Sequence, residues 1–169
     1  MILAFGTDAS YHSYLGGKIR AAAYYYMTNK VHKEFSNGVI DVLSTIIKHI
    51  IFSASEAETG ALYYGYKHAI PDKVKLQEMG HPQSKPTSVT TDNNTAHVLT
   101  MGTMTLKASK SNDMRFYCMK CCKVEQLFGF LWAHVPKNCA DYPSKHHHSL
   151  HHLHVRPNYV VFKKAITVN

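Results

Sequence analysis

Apolar and polar positions along this chain follow two periods, and the switch between them marks out the elements. Ile2 to Asp8 is a short apolar run ending in an acid, and Ile19 to Met27, rich in Ala and Tyr, is a second run behind the Gly16-Gly17 turn signal. Val39 to Phe52 follows the Ser36-Asn37-Gly38 turn. Its β-branched residues, Val39, Ile40, Val42, Thr45, Ile46, Ile47, Ile50 and Ile51, predict a strand over the whole stretch. Three runs joined this way predict an antiparallel meander.

The period then lengthens. Ser53 with Glu56, and Ser55 with Glu58, both fit the S-x-x-E capping box, so a helix starts here and runs to about Ala69, where Pro71 breaks or kinks it. A second helical piece continues to Glu78, and Gly80 stops it. Glu58 leads a stripe made by Ala61, Leu62, Gly65 and Ala69 on the sheet-facing side. It is either the capping acid folded back on its own helix or a carboxylate sent towards a partner on the sheet.

Ser88 to Thr91 is β-prone, and Asn93 to Thr95 are cap-type residues before Ala96-His97-Val98-Leu99, so a strand runs into a helix with Asp92 at the junction. Capping is the commonest job for an Asp there. The carboxyl end of a strand is also where open α/β sheets put their chemistry. If this strand lies parallel to the first, reached through the crossover helix, Asp8 and Asp92 share one edge of the sheet with Glu58 above them. Three carboxylates so placed need cations between them to stay ionised.

A long helix is expected from about Ser109 to Leu127, with Met114, Tyr117, Cys121, Val124 and Phe128 on its core face and Arg115, Met119 and Lys123 pointing away. Phe130 to Val135 reads as the last strand. Asp141 then opens a short helix that tolerates Pro143 only in its first turn.

Composition narrows the partners. The 169 residues, 45% hydrophobic and 18% charged, have room for one full-sized domain, and no apolar run approaches the roughly 18 residues of a membrane span. With a strand rather than a basic leader at its start, the protein is expected to be intracellular, cytoplasmic or nuclear, with no membrane partner. A formal charge of +8, from 19 Lys and Arg against 11 Asp and Glu, makes nucleic acid the leading partner class. Lys107, Lys110, Arg115, Lys120 and Lys123 form the densest basic region, either a solvated helix face or a ridge facing nucleic acid. Cys118, Cys121 and Cys122 crowd one segment without a second C-x-x-C, which favours small apolar fillers over a zinc site. The His-rich run from Lys145 to His154 has no acid interleaved and reads as a weakly structured basic segment. The expected division is therefore a globular unit over residues 1–145 and a His-rich basic tail over residues 146–169.

Taken together, Thr7-Asp8-Ala9-Ser10, Ser53-Ala54-Ser55-Glu56-Ala57-Glu58, Thr91-Asp92-Asn93-Asn94-Thr95-Ala96, Asp113-Met114-Arg115-Phe116-Tyr117 and Asn138-Cys139-Ala140-Asp141-Tyr142-Pro143-Ser144-Lys145-His146-His147 resemble, in this order, the ribonuclease H region of Copia-type retrotransposon polyproteins. The resemblance covers about Ile2 to Tyr159. It implies a ribonuclease H-like α/β fold, a mixed five-stranded sheet of three antiparallel strands followed by two parallel ones, flanked by helices. It implies hydrolysis of the RNA strand of an RNA–DNA hybrid by a detached domain of this type, with a reverse transcriptase as partner in the parent polyprotein. The family's metal-binding acids fall on Asp8, Glu58, Asp92 and Asp141, where two Mg2+ ions, or Mn2+ as a substitute, would be held. Ser10 and Asn93 become candidates for contact with the RNA 2′-hydroxyls, and Lys110, Arg115 and Lys123 for phosphates of the hybrid. His134, before Asp141, becomes a candidate for proton transfer or product release. The alternative is a catalytically inactive nucleic-acid-binding module of the same fold.

Overall fold

A computed structural model describes residues 1–11, 17–28, 38–48, 50–91, 110–132 and 138–159. Among them are strands β1 (Ile2–Ser10), β2 (Arg20–Thr28), β3 (Val39–Ile46), β4 (Thr87–Thr91) and β5 (Phe128–Trp132). The helices are α1 (Ala54–Glu78), α2 (Lys110–Val124), the single turn α3 (Asp141–Ser144) and α4 (Ser149–Tyr159). The strands form one sheet in the order β3-β2-β1-β4-β5. β1, β2 and β3 pair antiparallel as a meander, and β4 joins β1 in parallel, followed by β5 parallel to β4. The mixed sheet has the expected arrangement, with β1 at its centre. No described helix is long and apolar enough to cross a membrane.

Strand alternation sorts the core into two layers. Leu3 and Phe5 of β1, with Ala23, Tyr25 and Met27 of β2, pack against Leu62, Tyr66 and Ala69 of α1 and Met119 and Cys122 of α2. Phe5 is at the middle, its ring 5.7 Å from Tyr66 and 6.2 Å from Phe128, both edge-on. The opposite face of β2 presents Tyr24, which packs with Cys139, Ala140 and Tyr159 from the C-terminal segment. The Tyr159 hydroxyl donates to the Cys139 carbonyl, and its ring lies 5.3 Å from that of Tyr24.

Several elements differ from their sequence expectation; β5 starts at Phe128, a residue expected on the preceding helix, two positions before Phe130. β3 ends at Ile46, not Phe52: Ile47 and Ile51 turn under the start of α1, buried with Ala57 and Ala61, while Ile50 and Phe52 are exposed. Burial against a helix, not strand propensity, decides this β-branched run. α1 runs through Pro71 as one helix, with Lys67 and Pro71 on an exposed face where water can donate to the Lys67 carbonyl the hydrogen bond that Pro71 cannot give. Its end is as expected: Gly80, at φ +81°, lets the His81 amide turn back to the Leu76 carbonyl at 2.8 Å.

Helix α2 also turns a different face to the core. Among its residues whose burial is described, Met119 and Cys122 are buried and Arg115 is half-buried one turn earlier, whereas Met114, Tyr117, Cys121 and Val124 are exposed. Apolar residues occur all round this helix, so the sequence offers two stripes, and contact with Leu62, Tyr66 and Phe128 selects the one holding Met119. The C-terminal segment is also more ordered than its composition suggests, since Ser149–Tyr159 is helical and carries Tyr159 onto the sheet.

Helix α1 approaches the sheet closely at Gly65. A Cβ there would stand 2.8 Å from Phe5 Cε2 and 2.9 Å from Thr7 Cγ2, and the Gly65 carbonyl accepts the Tyr25 hydroxyl at 2.9 Å. Gly65→Ala should therefore cost about 1–3 kcal/mol, read as a lower urea midpoint at unchanged slope. Thiol labelling checks the face of α2. Cys118 and Cys121 should react quickly at mildly alkaline pH, whereas Cys122, whose thiol burial pushes up to about 11, and Cys139 should react only on unfolding.

Candidate functional site

The centre of the sheet carries a carboxylate with little access to water. Asp8, near the end of β1, is 6% exposed and points to the face covered by α3. The Ser144 hydroxyl lies 2.5 Å from Asp8 Oδ2 and 2.8 Å from the Asp141 carbonyl. With one proton to give, it favours the charged acceptor. Asn138 fastens the turn before α3 to the same strand: its Nδ2 donates to the Thr7 carbonyl at 3.1 Å, and its Oδ1 accepts the Ala140 amide at 3.1 Å. Ser44 Oγ, on β3, donates to the Pro143 carbonyl at 2.8 Å and holds the far side of the turn.

Glu58 reaches the same end of β1 from the other face, its Oε1 accepting the Ala9 amide at 3.4 Å. It is free to do so because Glu56 is the capping acid. The Glu56 amide donates to Ser53 Oγ at 3.1 Å, and Glu56 Oε2 accepts the Phe52 amide at 2.9 Å. Lys145, one residue beyond α3, completes the group. Its Nζ pairs with Asp141 Oδ1 and stands 3.8 Å from Asp8 Oδ2. Burial pulls the Lys145 ammonium down, but the hydrogen bond to Asp141 and the charges of Asp8, Asp141 and Glu58 outweigh it, so its pKa lies above the usual lysine value. Two carboxylates thus meet the Lys145 ammonium, and Glu58 adds its charge from the same end of β1.

Of the sequence-derived site residues, Asp8 and Asp141 meet at Lys145, and Glu58 reaches the Ala9 amide at the same end of β1. Asp92, Asn93 and His134 lie outside the described residues; β4 is described to Thr91, with Thr90 opposite Gly6 of β1 in parallel register. Ser10 is on the Asp8 side of β1 but only 1% exposed, so its hydroxyl is not presented at the surface. Arg115 and Lys123 are half-buried on α2, and Lys110 opens that helix. Sequence reasoning passed over Asn138, Ser144 and Lys145. The signal was available for two of them, since residues three and four beyond an acid that opens a helix return to its face.

An all-carboxylate donor set with a position already holding positive charge suits a hard divalent cation that keeps part of its water shell. The fit rests on the Lys145 ammonium, which pairs with Asp141 and stands beside Asp8.

No protein-family model and no curated protein matches the chain. Solved structures do. LC11-RNase H1, in a crystal structure with RNA/DNA hybrid, superposes with a TM-score of 0.58 at 14% identity, over 83% of this chain and 89% of that one. The N-terminal RNase H domain of a Mycobacterium tuberculosis protein gives 0.57 at 17% identity, over 84% and 89%. A foamy viral protease-reverse transcriptase, solved with double-stranded DNA, gives 0.50 at 14% identity over 80% of this chain, which spans 20% of that larger one. The chain has a ribonuclease H-like fold.

If Lys145 holds the place of a cation, Lys145→Ala should lower the thermal midpoint by about 2–4 °C in a chelator. Added Mg2+ should then raise the midpoint of the variant more than that of the wild type. Equal rises would show that the ammonium and the added ion do not share a site.

Proposed function

We propose that the chain hydrolyses the RNA strand of RNA–DNA hybrids, with Asp8, Glu58, Asp92 and Asp141 holding two divalent ions, Mg2+ or in its place Mn2+. The observation that carries this reading is that Asp8 and Asp141 share the Lys145 ammonium at the carboxyl end of β1, where Glu58 of α1 also reaches the backbone. The order of the four acids along the chain, the formal charge of +8 and the neighbouring LC11-RNase H1 with its RNA/DNA hybrid support it. When bound, two divalent ions activate the attacking water and offset charge on the leaving oxygen.

The chain's own residues do the positioning. Ser144 orients the Asp8 carboxylate and the Ala9 amide orients that of Glu58, so the acids are ordered before a cation arrives. Lys145 supplies the counter-charge that the ions replace. Arg115 and Lys123, with Lys110, hold phosphates of the hybrid. Asn93 reads the 2′-hydroxyl, and Ser10, whose hydroxyl is buried, contributes through its backbone. His134 assists proton transfer or product release. The Copia-type motifs make a reverse transcriptase of the parent polyprotein the natural partner.

Labelled RNA–DNA hybrid, single-stranded RNA and double-stranded DNA incubated with Mg2+ test the reading. The wild type should cut the RNA of the hybrid alone, and Asp8→Asn or Asp92→Asn should lower the rate by roughly a hundredfold or more. Tight binding of hybrid by the wild type without metal-dependent cleavage would overturn it, in favour of a non-catalytic hybrid-binding module of the same fold.

A further inference from the structure

A second group of ligating side chains sits at the other end of α1. Asp41 of β3 and His68 and Asp72 of α1 each offer one donor atom, and the three atoms lie within 4.8 Å of one another. Two local features bring them together. His68 and Asp72 are one turn apart, so they share a face of the helix. The register of β2 with β3 slips between Tyr25 and Tyr26, which pair with Asp41 and Val39, so Ile40 is the extra residue of a bulge beside Asp41. Such bulges re-aim the neighbouring side chain.

The contacts within the group leave a ligand position unfilled. His68 Nε2 lies 2.7 Å from Asp41 Oδ2, and Asp41 Oδ1 accepts the Val42 amide at 2.7 Å. Asp72 is only 7% exposed; its Oδ1 takes Lys75 Nζ at 2.9 Å, but its Oδ2 is wholly buried and has no hydrogen-bond partner. A buried carboxylate oxygen in that state is costly without a cation or a donor. Lys75 does not meet the need, because its side chain is 65% exposed and it approaches the outer oxygen.

We propose that Asp41, His68 and Asp72 form a second cation site, for a divalent transition metal of the zinc class, that ties β3 to the C-terminal half of α1. The imidazole selects against Mg2+ and Ca2+, which prefer oxygen alone. Two carboxylate oxygens and one imidazole nitrogen make three of the four ligands of a tetrahedral Zn2+, and water fills the fourth position. Water has access, since the side chains of His68 and Asp41 are 36% and 39% exposed. Asp72 is 14 residues beyond Glu58 on α1, which at the helical rise sets the site roughly 21 Å from the Glu58 carboxylate group. It is independent of the proposed nuclease chemistry.

The test is a zinc titration of the full chain by calorimetry, with excess Mg2+ present to occupy the Asp8 group. It compares wild type, His68→Gln, Asp72→Asn and a His147→Ala/His151→Ala/His152→Ala variant, the last to separate the C-terminal histidines. The wild type should show a zinc site that His68→Gln and Asp72→Asn lose, or weaken at least tenfold, and that the triple variant keeps. Co2+ in that site should give visible d–d absorption, absent in His68→Gln. Circular dichroism checks that each variant is folded. If Asp72→Asn is not, His68→Gln, with its half-exposed side chain, decides. Zinc uptake and Co2+ absorption unchanged in His68→Gln would overturn the proposal and leave Asp41 and His68 as an ion pair between strand and helix.

Discussion

A carboxylate almost out of reach of water, on the central strand of the sheet, is the constraint that the rest of the molecule answers. An uncompensated charge in Asp8's position would cost several kcal/mol. The compensation comes from distant parts of the chain, the Ser144 hydroxyl and the Lys145 ammonium, while the carboxylate of Glu58 at the end of the strand adds to the charge that must be offset. Asn138 and Ser44 hold the C-terminal turn where those groups must be, and Tyr159 on Tyr24 presses the following helix against the same face. The C-terminal segment therefore belongs to the architecture of the site.

What was legible in the sequence was whatever a local rule decides. The start of α1 could be read from Ser53 and Glu56, and its end from Gly80. The stripe that Glu58 leads could be read as well, and Ala61, Leu62 and Ala69 on it are fully buried. The end of β3 and the inner face of α2 could not be read this way. Ile47 and Ile51 have strand propensity but are spent covering α1, and α2 has apolar residues on every side. Both are settled by a neighbour many residues away. Ser144 and Lys145 are half-legible: their spacing from Asp141 puts them on its face, but their contact with Asp8 depends on a strand far away in the sequence.

The fold is shared with ribonuclease H domains at 14–17% identity, a level at which packing is preserved while sequence is not. Such a fold fixes which strand ends and helix starts lie together, and the chemistry depends on which side chains stand there. Here the meeting point of β1, α1 and α3 carries an acid from each.

The Asp8–Ser144 contact joins residues 136 positions apart, close to the whole length of the chain. Closing a loop of that length costs on the order of 4 kcal/mol in chain entropy. During synthesis the strand bearing Asp8 emerges well before Ser144 and Lys145. Sheet and crossover helix can form while the acidic cluster is still incomplete, so the site is assembled late, as a consequence of contact order and not of its own local stability.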